Sequence, residues 1–309
     1  MNYLHLIRFK SLFILVFMQL VIRFGFLKLN NVELALTNFQ YGLLVLSTVL
    51  IAAGGYVINA IFNDDLKITT NKNAIDKQAI TENTAYNIYF GLNVAGVAVG
   101  YYLSNAILRP SFLVFFILAS TLLYFYASQL KQILLLGNVI IAFLMAFCVI
   151  IVGFFDLFPA TDLANKAIMR SYFSILLDFA LMVFLLSLMQ QIVKDLISYS
   201  IDNDNGTRTF PVVFGIKKTK FLLYLLFGLT AVLILLYINN YLMKNELYFA
   251  TVYVLFLIIA PLIYIFVRLF DAQNKASFEH LHTVLQFIFL AEAAAIFIIS
   301  KNIMYHVNA

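Results

Sequence analysis

Nine stretches of this chain are apolar over a length that matches the hydrocarbon core of a bilayer, roughly 18–25 residues each. They lie at about 11–27, 40–62, 86–108, 111–128, 132–155, 171–194, 219–239, 247–269 and 281–300. No other feature restricts the fold as strongly. Hydrocarbon offers no partner to a backbone N–H or C=O, so a spanning segment is either an α-helix or part of a closed barrel. The apolar runs are continuous and do not alternate, which selects helices. Composition agrees: the chain is 63% hydrophobic and 11% charged, with a mean hydropathy of +0.95. A soluble domain is about a quarter charged. The expected fold is therefore an all-α integral membrane protein, one domain over residues 1–309. The connections at 109–110 and 129–131 are short enough to make their flanking helices antiparallel neighbours.

Two polar loops interrupt the pattern, at about 63–85 and 195–218, and nine spans place both on the side of the N-terminus. Of the 20 Lys and Arg residues, 13 fall on that side and 7 on the other. The positive-inside bias then puts the N-terminus and both loops in the cytoplasm and the C-terminus outside. A bacterial inner membrane is the expected location. The first apolar run lacks a small-residue cleavage site, so it reads as a span and not as a removable signal. The one cysteine, Cys148, rules out an internal disulfide framework and a multi-cysteine metal site. The net charge of +5 follows from basic loops and implies no nucleic acid.

Polar side chains gather where the second and sixth spans meet these loops. Residues 57–69 read "VINAIFNDDLKIT", with Asn59, Asn63 and Lys67 spaced i, i+4, i+8. If the helix continues, they line one face. The other cluster is Lys194, Asp195, Asp202 and Asp204, followed by Gly206, Arg208, Thr209 and Pro211. Carboxylate and amide oxygens suit a hard cation such as Mg²⁺, which takes one or two carboxylates together with phosphate oxygens. Lys131, Lys194 and Arg208 suit the phosphate.

"AAGGYVIN", "YFYASQLKQILLLGN" at 124–138 and "KDLISYSIDNDNGTRTFPVVFGIKK" at 194–218 resemble the UbiA superfamily of intramembrane prenyltransferases. The resemblance covers nearly the whole chain. It implies nine helices around a central cavity open to the cytoplasm and to lipid. It also implies Mg²⁺-dependent ionisation of a polyprenyl diphosphate and transfer of the prenyl chain to a small or lipid acceptor. The family's first motif usually carries Asp at the positions of Ala60, Asn63 and Lys67, and its second at Asp195, Ser198 and Asp202. Of the four positions that the resemblance marks as metal ligands, 63, 67, 198 and 202, only Asp202 keeps its carboxylate. Replacing Asp by Lys at 67 changes local charge by two units. At about 4 Å, two unit charges interact by about 4 kcal/mol at an effective dielectric near 20. Such a lysine repels a metal and attracts diphosphate. Asp64 and Asp65 point about 100° and 200° away from position 63 on an ideal helix.

Two readings follow. In one, Asp202, Asp195 and Asn59 hold one Mg²⁺, and the substrate is bound by Lys67, Lys131, Lys194, Arg208 and Asn63. In the other, the chain is a non-catalytic relative that binds a prenyl phosphate or other lipid, or serves in a membrane protein assembly. A carrier is the weaker third class, because no paired broken helices are visible. Several residues have plainer readings. Asn59 and Lys131 could serve helix packing and topology alone, and Lys72 and Lys77 read as a solvated loop. "DNDNG" does not fit a calcium loop, since counting back from Gly206 puts Ile201 in the first ligand position. His280 and His282, two residues apart, do not share a helix face. Asp178 and Glu292 lie inside apolar spans, where an acid is either a proton or substrate path or a neutral, bonded group.

The charge split makes a testable topology. In a background without Cys148, single cysteines replacing Ile75 and Asn205 should react with an impermeant thiol reagent only after the membrane is opened. A cysteine at Ala309 should react in intact cells. Labelling of position 75 from outside overturns the orientation.

Overall fold

The structure, a computed structural model, describes residues 6–63 and 81–308. Its helices are α1 (Phe9–Leu27), α2 (Asn38–Phe62), α3 (Glu82–Ala106), α4 (Pro110–Ser128) and α5 (Leu136–Leu157). They continue with α6 (Lys166–Ile197), the short α7 (Tyr199–Asp204), α8 (Phe210–Met243), α9 (Tyr248–Asp271) and α10 (Lys275–Asn308). No strand occurs among the described residues. Eight of these helices are long and apolar enough to cross a membrane. The ninth expected span corresponds to α3, which has the length, at 25 residues. Glu82, Asn83, Asn87, Asn93 and Asn105 dilute its apolar content. Each expected apolar run coincides with a helix, although several helices extend further, most of all α8 and α10.

The chain divides into two compact units. The first comprises Met1–Gln19, Leu34–Lys131 and Ile151–Met169; the second comprises Leu20–Glu33, Gln132–Ile150 and Arg170–Ala309.

In the first unit α2 packs on α3 and α4. Lipid removes the hydrophobic drive for helices to associate, so shape and interhelical hydrogen bonds must hold them. Small residues supply the shape. A Cβ on Gly96 would stand 2.8 Å from Ile51, and one on Gly55 would stand 2.9 Å from Leu123. A Cβ on Gly100 would collide with the buried ring of Phe116. The glycines of "AAGGYVIN" are thus packing residues: Gly54 faces Asn93 as Gly55 faces Leu123. Polar groups add the bonds. Ser47 Oγ donates to Gly96 O at 2.7 Å, and Ser120 Oγ donates to Asn93 Oδ1 at 2.6 Å. Thr37 and Gln40 form a capping box that starts α2.

In the second unit α10 packs against the Val21–Leu27 turn and α9. Gly25 lies against Phe297, where a Cβ would come within 3.1 Å of the ring. Asn30 Nδ2 donates to Ser300 Oγ at 3.2 Å, and Tyr253 Oη donates to Ala291 O at 2.9 Å. Asn302 Oδ1 accepts from Ala250 N at 2.9 Å, which satisfies an orphan donor in the first turn of α9. Near its start α8 is broken at Gly215, whose φ of 82° and ψ of 160° suit glycine almost alone.

Gly91 and Gly100 share helix α3, but nothing lies within 4 Å of a Cβ placed on Gly91. Gly100→Val should therefore destabilise the purified protein by about 1–3 kcal/mol through overpacking. Gly91→Ala should be neutral or stabilising, since glycine inside a helix costs about 0.5–1 kcal/mol relative to alanine. Thermal unfolding in detergent distinguishes them, and equal midpoints would refute the packing assignment.

Candidate functional site

The predicted site residues fall into two groups, one in each unit. Asn59, Asn63 and Lys131 belong to the first; Lys194, Asp195, Asp202 and Arg208 belong to the second. Lys67 lies outside the described residues, as do Asp64 and Asp65.

The first group is built on the end of α2. The helix stops at Phe62, and Asn63 caps it with φ −89° and ψ 0° while its N–H still reaches Asn59 O at 3.1 Å. Asn59 and Asn63 are thus one turn apart. Lys131 comes from the short 3₁₀ turn Leu130–Gln132 after α4. Its Nζ donates to Asn63 Oδ1. Aromatic packing sets the approach of that turn. Tyr124 of "YFYASQLK" meets Phe62 at 6.0 Å and Tyr89 at 6.4 Å between ring centroids. Three residues before Asn59, Tyr56 carries the guanidinium of Arg8 over its ring at 5.6 Å. Arg8 was not among the predicted site residues, and its only signal in sequence was a positive charge beside the first span.

The second group is built on the end of α6. Asp195 lies in the last turn, half-buried, and its Oδ2 accepts from Asn138 Nδ2 at 2.7 Å. Asn138 ends the 124–138 stretch that carries the family resemblance, and nothing in the sequence marked it as a partner of Asp195. The helical course breaks at Ser198 (φ −88°, ψ 0°). One helical bond ends α6 on it, from Ser198 N to Lys194 O at 3.0 Å, and another starts α7 from it, from Asp202 N to Ser198 O at 2.9 Å. Asp195 and Asp202 thus stand about one turn to either side of Ser198, near enough for the charge of one to act on the other. After α7 the chain turns at Gly206, whose φ of +68° is left-handed, and Thr207 N bonds back to Asp202 O at 2.8 Å. Thr209 and Pro211 then open α8. Thr209 Oγ1 is buried with no hydrogen-bond partner. Arg208 and Asp204 are exposed. Gln190 Nε2 donates to Leu285 O at 3.3 Å, tying α6 to α10. His282, one turn before Leu285, has its Nε2 buried and without a partner. His280 bonds Tyr264 Oη at 2.8 Å and is turned to a different neighbour.

These donors bear differently on a metal. Among the described residues no group of three or more His, Cys, Asp or Glu side chains converges. A Mg²⁺ that shares its shell with substrate phosphates needs only one or two carboxylates. Asp195 and Asp202, near each other across Ser198 and with Asn138 steadying the first, fit that demand. Asn63 does not fit a second metal, because its amide oxygen is already held by an ammonium that repels a cation.

The sequence model of the UbiA prenyltransferase family matches residues 29–290. Among similar proteins, the digeranylgeranylglyceryl phosphate synthase of Methanosphaera stadtmanae is 27% identical over 56% of this chain and 56% of its own. That of Korarchaeum cryptofilum is 29% identical over 65% of this chain and 66% of its own. The matched stretches thus span between half and two thirds of these relatives' length. A solved UbiA homolog from Archaeoglobus fulgidus, bound to GPP and Mg²⁺, shares the fold at a TM-score of 0.61 and 16% identity, covering 96% of this chain and 99% of that one. With the family model matched along most of its length, and with the two polar helix ends that the motifs mark, this chain belongs to the UbiA prenyltransferase family.

Proposed function

We propose that the protein transfers a prenyl chain from its diphosphate to a lipid acceptor, using one Mg²⁺ and lysine charge where its relatives carry more carboxylates. The bond from Lys131 to Asn63 is the observation that carries this reading. It supports an ammonium at the end of α2 as a fixed positive charge for diphosphate.

Asp195 and Asp202 would hold the metal, which when bound neutralises the charge that builds on the leaving diphosphate. Lys131 donates to phosphate oxygens and strengthens as the leaving group gains charge. Lys194, Arg208 and Lys67 add positive charge for the same anion, Asn63 holds the ammonium of Lys131, and Asn59 is a further oxygen for the metal. In the reaction the bond from the allylic carbon to the diphosphate oxygen breaks with both electrons on oxygen. The acceptor hydroxyl oxygen forms the new bond to carbon and gives up its proton. The names of the relatives support a prenylated glycerol phosphate as acceptor, with geranylgeranyl diphosphate as donor.

The substitutions at Asn63, Lys67 and Ser198 favour a second reading, in which the chain binds a prenyl phosphate without turning it over. One experiment separates the two. Purified protein in lipid nanodiscs is given geranylgeranyl diphosphate and geranylgeranylglyceryl phosphate, with Mg²⁺ or with EDTA, and ether product and diphosphate are measured. The expected result is Mg²⁺-dependent product that is lost in Asp202→Asn. Lys131→Met should lower kcat/KM about 10- to 150-fold, the equivalent of a charge-assisted hydrogen bond of about 1.5–3 kcal/mol. Binding that persists in EDTA, with neither diphosphate nor product released, would establish the non-catalytic reading instead.

A further inference from the structure

Two acids of the second unit take no part in the chemistry above. Asp178 is 12 residues into α6, about 18 Å along it, and Glu292 is 17 residues into α10, about 26 Å along it. Both line one cavity between α6, α8, α9 and α10, with room of about 80 Å³ for the centres of water-sized groups. A single water needs about 10–15 Å³ by that measure. The cavity wall is otherwise nearly all aliphatic and aromatic, and no Lys, Arg or His contributes to it.

Glu292 is 5% exposed, and neither of its carboxyl oxygens has a hydrogen-bond partner. Leaving such groups unmet in an apolar interior is costly, and more so if they are charged. The neighbouring polar groups do not relieve it. Thr230 Oγ1 spends its proton on Leu226 O at 2.8 Å. Tyr237 is held by stacking on Tyr241 at 5.3 Å between centroids.

We propose that this cavity binds a lipophilic amine in its ammonium form, with the nitrogen between Glu292 and Asp178 and the apolar body against the aliphatic wall. An ammonium supplies the N–H donors that Glu292 lacks and neutralises carboxylate charge in a low-dielectric setting. The rings of Phe179 and Tyr237, both in the cavity wall, add faces that attract a cation. Other ligand classes fit less well. A phosphate or diphosphate would meet two carboxyls and no basic group. A bare metal ion would find two carboxyls where Mg²⁺ or Ca²⁺ takes six or more oxygens. A neutral alcohol would suit the wall but brings a single O–H donor to two carboxyl oxygens that have none.

The test uses full-length protein in phosphatidylcholine nanodiscs and radiolabelled dodecylamine, with empty nanodiscs subtracted. One saturable site is expected, at least tenfold weaker in both Glu292→Gln and Asp178→Asn. Unlabelled dodecanol should compete at least tenfold less well than unlabelled dodecylamine. Both substitutions preserve side-chain shape, and Asp178, which is exposed, gives a folded comparison even if Glu292→Gln disturbs the helices. Absence of saturable binding above empty nanodiscs overturns the proposal. So does unchanged affinity in a folded variant, or competition by dodecanol equal to that by dodecylamine.

Discussion

Hydrocarbon satisfies no backbone hydrogen bond and gives helices no reason to hide apolar surface from it. Everything in this fold answers that pair of conditions. The first makes every spanning segment a helix. The second leaves cohesion to close packing and to the few polar groups that find partners. In the first unit, Gly96 and Gly100 let α3 come down onto Ile51 and Phe116, and the Ser47–Gly96 and Ser120–Asn93 bonds fix the register. In the second, Gly25 against Phe297 and the Asn30–Ser300 bond do the same for α10. Each of these bonds ties together segments far apart in the chain.

The same scarcity of partners gives the polar helix ends their meaning. Asn63 is an amide where the family resemblance leads one to expect a carboxylate, and its side-chain oxygen is taken by Lys131. On the proposed function, two ways of meeting diphosphate charge coexist in one chain: an ammonium at the end of α2 and a metal at the end of α6. The break at Ser198 and the left-handed turn at Gly206 matter for the second. The break separates the turn that carries Asp195 from the one that carries Asp202, and the left-handed turn brings Thr207 N back onto Asp202 O. Glycine at 206 and 215 is explained by backbone conformation alone, whatever the activity.

Glu292 stands apart from this pattern. Most buried polar side chains described here are bonded, as are Ser47, Thr48, Ser104 and Asn302. A buried carboxyl with both oxygens unmet, beside a cavity, departs from the rule that otherwise governs the bundle.

Which segments are helices, where they begin to be apolar, and which residue types sit at the two motif positions are legible in the chain alone. Hydropathy is a sum over neighbours in the chain, so it can be read from the chain. The sequence also carried the family, through the stretch from Lys194 to Lys218. It did not show that α2 ends at Phe62, because the polar residues after it are compatible with a further turn of helix until a cap is seen. Nor did it show that Lys131 bonds Asn63, that Asn138 bonds Asp195, or that Asp178 and Glu292 line one cavity. Those pairings lie 68, 57 and more residues apart. Without a hydrophobic drive between helices, they are settled by which small side chain faces which large one. Only the tertiary structure decides that, because interhelical fit depends on shape across the bundle and not on any local property of the sequence.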